Sequence, residues 1–290
     1  MRLARWAEGV RIDNPGRPAP GFVRLVRRFL DPIVQLCHRP TLVGVESLPE
    51  GPFLLVANHS AGLGLAEINT FIVMYLRHVG PDRPLAGFAH PAAFRVFPLS
   101  AALRAMGAIP STYAAAEKTL SVGVPLLVFP GGDHETLRPI WQANRVDFGG
   151  RLGFLRIART AGVPIVPLGI RGGHFTAPVL FRSRALATLL VAPRVLGVKR
   201  WGISLLGVIV AALVLTLVPA SWPVRAAIVW LWLGSPLTFF PWVPWTLRMR
   251  IGTPIPASEL FTPAGSDGGD EQLSRALARV QAAVQALVDR

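Results

Sequence analysis

Apolar runs and mixed stretches alternate along this chain, and the alternation sets its elements. Residues 52–57, PFLLVA, form a continuous apolar run that predicts a buried strand. It gives way to Asn58, His59 and a loop with Gly62 and Gly64, then to a helix with an apolar face over 66–79. The pattern recurs downstream. A strand is expected over 84–94, ending at His90 and Pro91, then a short helix over 96–106, a break at 107–110 and a helix over 114–121. Residues 125–129 read as a five-residue apolar strand that runs into PGGDHE. An amphipathic helix over 153–161 and a buried strand over 164–170 follow, with Gly172, Gly173 and His174 at the strand's end. A short strand over 41–48 precedes them all. Strands alternating with helices predict an α/β fold with a largely parallel sheet flanked by helices.

Two stretches depart from that rhythm. Residues 21–39 place Val23, Val26, Phe29, Leu30, Ile33 and Val34 at helical spacing with Arg24, Arg27 and Arg28 between them. This is a basic amphipathic helix, suited to a membrane interface or to the surface of the core, with Pro32 expected to bend or restart it. Residues 203–245 hold two uncharged runs separated by Arg225 and cut by Pro219, Pro223, Pro236, Pro241 and Pro244. Five tryptophans are scattered through it, and Arg194, Lys199, Arg200, Arg248 and Arg250 flank it. The pattern predicts a hydrophobic membrane hairpin inserted in the domain, re-entrant or spanning twice, with both flanks on the cytoplasmic face; a buried core helix pair is the plainer alternative. Residues 248–256 then read as a last core strand. Leu273, Leu277, Val280, Val284 and Leu287 give an amphipathic C-terminal helix after a GSDGGD loop. The expected division is 1–40 for the basic helical segment, 41–200 for the α/β core, 201–246 for the hairpin and 247–290 for the last strand and helix.

Composition narrows the partners. The 290 residues carry 30 basic against 16 acidic side chains, a formal net charge of +14, yet 51% are hydrophobic and mean hydropathy is +0.45. A basic, apolar chain suits an anionic membrane better than nucleic acid, because its arginines gather on no nucleic-acid-binding motif. Cys37 is the only cysteine, which excludes an intramolecular disulfide and a thiolate-metal site. The first twelve residues lack the apolar core of a cleavable signal peptide.

Chemistry concentrates at strand ends. His59, His134 and His174 each follow a strand beside a glycine or proline, and His90 makes a fourth. In open α/β sheets the working site lies beyond the carboxyl ends of the strands. His59 is mounted as a general base should be, and Glu67, eight residues on, is the acid within reach to fix its tautomer. A loop histidine beside a helix-capping glutamate is the plainer alternative. The backbone N–H groups of Gly131 and Gly132 suit the oxyanion of a tetrahedral intermediate, or a tight strand-to-helix turn.

Four blocks in order, VANHS with a downstream acid, GAIPST, VFPGGDHE and GVPIVPLGI, resemble the glycerolipid acyltransferase superfamily of the lysophosphatidic acid acyltransferase type. The PGG-x-x-E form of the third block is similar to the diacylglycerol acyltransferase-like branch. The resemblance covers residues 52–173, with a weaker tail over 248–256. It implies that His59 deprotonates an acceptor hydroxyl, that the acid orients it, and that the alkoxide attacks the thioester of acyl-CoA or acyl-carrier protein, with no further cofactor and no metal. The family spacing puts its acid at Gly64; here Glu67 takes that part. The family's F-P-E-G-T-R block has Gly131 at the glutamate and His134 at the phosphate-binding arginine, which points to an acceptor other than glycerol phosphate. Substrate binding is then expected of Gly131, Gly132, His134 and Glu135, with Arg138, Arg145 and Arg151 supplying charge.

Other chemistries find no support. There is no G-x-S-x-G elbow, no Gly-Lys-Ser/Thr phosphate loop and no compact metal-ligand spacing among the histidines. The expectation is a membrane-bound O-acyltransferase acting on a (lyso)glycerolipid-type acceptor. An acyltransferase-like scaffold that binds lipid without chemistry is the alternative the residues leave open.

Overall fold

The structure is a computed structural model and describes residues 14–60, 62–195, 197–261 and 269–290. The expectations on residues 1–13 and on 265–268 of the GSDGGD loop lie outside the described residues. A seven-stranded sheet runs in the order β1-β9-β6-β2-β5-β3-β4. Its strands are β1 (Thr41–Val43), β2 (Leu54–Ala57), β3 (Ala86–Ala89), β4 (Ala108–Pro110), β5 (Leu126–Val128), β6 (Ile165–Arg171) and β9 (Arg248–Ile251). All neighbours are parallel except β6 and β9, where Arg171 lies opposite Arg248. A separate antiparallel pair joins β7 (Val179–Ser183) to β8 (Trp201–Ser204).

β2 lies mid-sheet and all four of its residues are buried, as a strand covered on both faces requires. Leu54 and Val56 face one layer, packed with α3 (Tyr113–Ser121), α4 (Gly153–Ala161) and α7 (Gly269–Asp289). Phe53, Leu55 and Ala57 face the other, with Phe71, Met74 and Tyr75 of α2 (Leu65–His78). Period-two alternation thus feeds two cores from one strand. α1 (Pro20–His38) packs on α2 through Val23 and Val34 and runs unbroken through Pro32. The missing Pro32 N–H leaves the carbonyl of Arg28 unpaired within the helix, and Arg28 is exposed, so water can serve that carbonyl.

Three sequence expectations differ in detail. The break at 107–110 contains β4, a strand too short to announce itself. Only Thr41–Val43 of the segment 41–48 is a strand, because Gly44 turns the chain into a 3-10 turn at Val45–Ser47. The β7–β8 ribbon carries no clear alternation in sequence.

The hydrophobic stretch folds as two helices, α5 (Leu205–Leu217) and α6 (Trp222–Gly234), packed side by side. Arg225 donates to the Leu215 carbonyl, and the indole N–H of Trp232 donates to Gly207, which ties the two together. At about 1.5 Å per residue each is about 20 Å long, against a hydrocarbon core of about 30 Å. No helix among the described residues is long and apolar enough to cross a membrane. Phe239 and Trp201 anchor the hairpin's base in a small core with Leu137 and Val179.

Candidate active site

His59 follows β2 directly, and three contacts hold its loop. The Asn58 amide exchanges hydrogen bonds of 2.8 Å with the N–H and C=O of Ile170 in β6. The His59 N–H donates to Glu135 Oε2 at 2.8 Å. The imidazole stacks on Phe129, with ring centroids 4.5 Å apart. Its Nδ1 meets Oε1 of Glu67 within hydrogen-bond reach. The Ser60 N–H donates to both Glu67 oxygens, at 3.0 and 2.8 Å, and the Ser60 hydroxyl donates to Oε2. The Glu67 carboxylate is fully buried, whereas the His59 side chain keeps 13% of its surface. With Nδ1–H donated to the carboxylate, Nε2 is left as the acceptor, and His59 lines a cavity of about 630 Å³.

Gly64 explains the displaced acid. Its φ is +74°, and a Cβ there would overlap Cε1 of His59. No side chain fits at the family's usual position. α2 begins at the next residue, so Glu67 sits in its first turn, where the helix dipole favours a carboxylate, and reaches back to the ring.

The third block divides between the cavity and the interior. Gly132, Asp133 and Arg151 line the cavity, with His90, Tyr113 and Lys199 on other walls. Arg151 donates to the carbonyls of Pro130 and Gly131, at 3.1 and 2.8 Å, and pairs with Asp133. The Gly132 N–H donates to Phe129 O, so it is not offered to an oxyanion; this corrects that part of the expectation. Gly131 is buried, and Glu135 Oε2 occupies the space a side chain there would need.

Glu135 faces inward. It is fully buried, accepts the N–H groups of His59 and Asp147, and is pushed up to about 7, by burial against the pull of those bonds, Arg138 and His59. Arg138, only 1% exposed, is also directed inward, onto the carbonyl of Arg145 and near Glu135 and Asp147. Neither touches the cavity, and Arg145 lies outside its walls. His134 accepts from Arg200 at Nδ1 and donates from Nε2 to Asp147 Oδ2, at 2.8 and 2.9 Å. Burial would raise Asp147, but the His134 bond, the Gly149 N–H and nearby Arg138 hold it below the usual carboxylate range. His174 lies behind the dyad, 3% exposed, with Nε2 donating to the Glu135 carbonyl. Burial pushes it down to about 4, so it stays neutral. Sequence reasoning passed over Lys199 and Tyr113 as cavity residues, because Tyr113 lies just past the second block and Lys199 reads only as a flank of the hydrophobic stretch. No group of three His, Cys, Asp or Glu side chains among the described residues is arranged to hold a metal.

Comparison with known proteins bears on the fold that carries this site. Residues 39–171 match the sequence model of the Acyltransferase family. An uncharacterized protein of Mycobacterium leprae is 27% identical over 170 residues, which is 58% of this chain and 46% of that one. One from Mycobacterium tuberculosis is 28% identical over the same span, 47% of its length, so the chain spans about half the length of these relatives. Phytyl ester synthase 2 of Arabidopsis thaliana is 31% identical over 137 residues, 44% of this chain and 19% of that protein. The crystal structure of the 1-acyl-sn-glycerophosphate acyltransferase PlsC from Thermotoga maritima shares the fold. The TM-score is 0.51 at 16% identity, covering 92% of this chain and 80% of that one. Residues 39–171, which carry His59, Glu67 and the third block, are thus similar to the Acyltransferase family, on an α/β sheet with the fold of PlsC.

Proposed function

We propose that this chain is a membrane-surface O-acyltransferase that moves a fatty acyl group from acyl-CoA or acyl-carrier protein to a hydroxyl of a (lyso)glycerolipid-type acceptor. The observation that carries it is the His59–Glu67 pair, buried on its carboxylate side and facing a cavity on its imidazole side. Nε2 takes the proton of the acceptor hydroxyl as its oxygen attacks the thioester carbonyl. A C–O bond forms and the C–S bond breaks. The departing thiolate recovers the proton from the imidazolium, and Glu67 stabilises that cation throughout. The likeness of residues 39–171 to the Acyltransferase family supports the acceptor class, and His134 in place of the phosphate-binding arginine argues for a lipid hydroxyl other than that of 1-acylglycerol 3-phosphate.

Lipid would be met at the hairpin. Leu213, Leu217, Trp222, Val224, Leu231 and Leu237 are exposed on it, Leu217 to 71%. α1 adds a stripe, Leu25, Phe29, Ile33 and Leu36, beside exposed Arg24 and Arg28. Apolar area of this kind with arginines beside it suits insertion into one anionic leaflet, on the cytoplasmic face. Purified protein incubated with labelled acyl-CoA or acyl-carrier protein and a total lipid extract tests the reading. Labelled lipid supports it; none with either donor leaves a lipid-binding scaffold.

A further inference from the structure

A second cavity, of about 550 Å³, opens at the end of β6 and is walled by Arg39, Arg171, Arg248, Asn144, Leu36 and Trp245 among others. We infer that it is a binding site for a phosphate ester, held by the three guanidinium groups.

Charge is the first argument. Arg171 and Arg248 stand directly opposite each other in the antiparallel β6–β9 pair, and like charges so placed destabilise a sheet. Arg39, at the C-terminal end of α1, brings a third positive charge to the same cavity. No acidic residue among the described ones lines it. Neither Arg39 nor Arg248 pairs with a carboxylate among the described residues. The neighbouring Asp289 carboxylate accepts from Gln285 instead. An anion supplied from outside would relieve this repulsion.

Preorganisation is the second. Arg171 is fixed by donating from Nη1 to the carbonyls of Val288 and Asp289, at 2.9 and 3.2 Å, at the end of α7. That leaves the other edge of its fork for a ligand. Asn144 accepts the Gly172 N–H at 3.1 Å, which sets the cavity's rim. Phe175 stacks on Trp245 with centroids 4.6 Å apart and makes a flat apolar wall. Planar guanidinium forks match phosphate oxygens in pairs.

Position is the third. Gly173, next along the chain from the rim, packs so tightly on Ser60 that a Cβ would overlap its hydroxyl and crowd Glu67. The arginine cavity therefore shares a wall with the dyad, while the 630 Å³ cavity lies on the side of β5 and β3. Leu36 ends the exposed stripe of α1, and Trp245 closes the hairpin segment, so the mouth stands where the apolar surfaces meet. The phosphate has two sources, a phospholipid headgroup or the phosphates of coenzyme A. A role in acyl transfer rests on the function proposed above; binding itself does not.

The full chain carrying His59→Ala, which separates binding from turnover, is titrated in detergent with coenzyme A in one arm and dihexanoyl phosphatidic acid in the other. The thermal midpoint and tryptophan fluorescence are followed. At least one ligand raises the midpoint, and the arm that responds names the source, both responding meaning a general phosphate site. Arg39→Ala and Arg248→Ala, at exposed positions, each weaken that binding by about tenfold or more, and Arg248→Lys restores part of it. Arg159→Ala, at an exposed position on another face, leaves it unchanged. Without ligand, Arg248→Thr melts no lower than the parent, because a like-charge pair is gone. No response in either arm, or an affinity in Arg39→Ala and Arg248→Ala equal to that of the parent, overturns the site.

Discussion

Gly64 stands flush against the imidazole of His59: a Cβ on it would overlap Cε1 of the ring, and its φ of +74° is one a side chain resists. The position that holds the acid in the Acyltransferase pattern is here a floor for the imidazole. Gly64→Ala should therefore lower kcat by about a hundredfold with circular dichroism unchanged. Gly64→Asp in a Glu67→Gln background should not rescue activity, although it restores the usual spacing. A rescue would show that the ring can shift to accept it.

Glu67 receives the His59 Nδ1–H and the Ser60 N–H together. Glu67→Gln keeps the shape and removes the charge that stabilises the imidazolium. A fall in kcat of about 10² to 10⁴ is expected, in the range of general-base contributions. KM should change little. Steady-state kinetics on labelled acyl-CoA reads both.

His174 supplies a pH test. Burial pushes it down from 6.5 to about 4; Glu67 and the Glu135 carbonyl pull it up, and Arg138 and His59 push it down. Between those values the unfolded chain holds a proton that the folded chain refuses. The stability this histidine contributes is thus fully present above pH 6.5 and is lost as pH falls toward 4. His174→Gln lacks that titration, while Glu135 titrates in both proteins. The wild-type advantage in unfolding free energy should shrink by up to about 3 kcal/mol from pH 7 to 4. Denaturant melts across that range measure it, and a constant difference would place the proton elsewhere.

The sheet and the place of His59 at a strand end were readable from sequence because both rest on local signals. Residues 52–57 are apolar without interruption, so the strand and the histidine that follows it can be placed from the run alone. Glu67 was readable as the acid by elimination, but not the reason for it, since Gly64 meets His59 only after the loop folds back. Glu135 and Arg138 looked like substrate ligands because they follow the glycines. The short helix Gly132–Thr136 turns both inward, where they tie the His59 loop to the Asp147 segment. That turn depends on β2 and β5 lying side by side, a long-range fact no local pattern carries. The arginine cavity was hidden for the same reason, with Arg39, Arg171 and Arg248 far apart in sequence and one strand apart in space.

The hairpin should act through its exposed side chains. Leu213→Glu with Leu231→Glu removes apolar contact worth about 1.5–3 kcal/mol per fully buried leucine and adds like charge to an anionic leaflet. Co-flotation with phosphatidylglycerol vesicles should fall at least about tenfold. The circular dichroism spectrum should stay as in the parent. Unchanged flotation would move membrane contact away from α5 and α6.

The central measurement is the rate of acyl transfer from labelled acyl-CoA or acyl-carrier protein to lipid by wild type and by His59→Ala, each purified and confirmed folded. The account predicts labelled ester with wild type and a loss of about 10² or more with the variant. His59→Ala turning over at the wild-type rate would contradict it, because no base would then be needed at the end of β2.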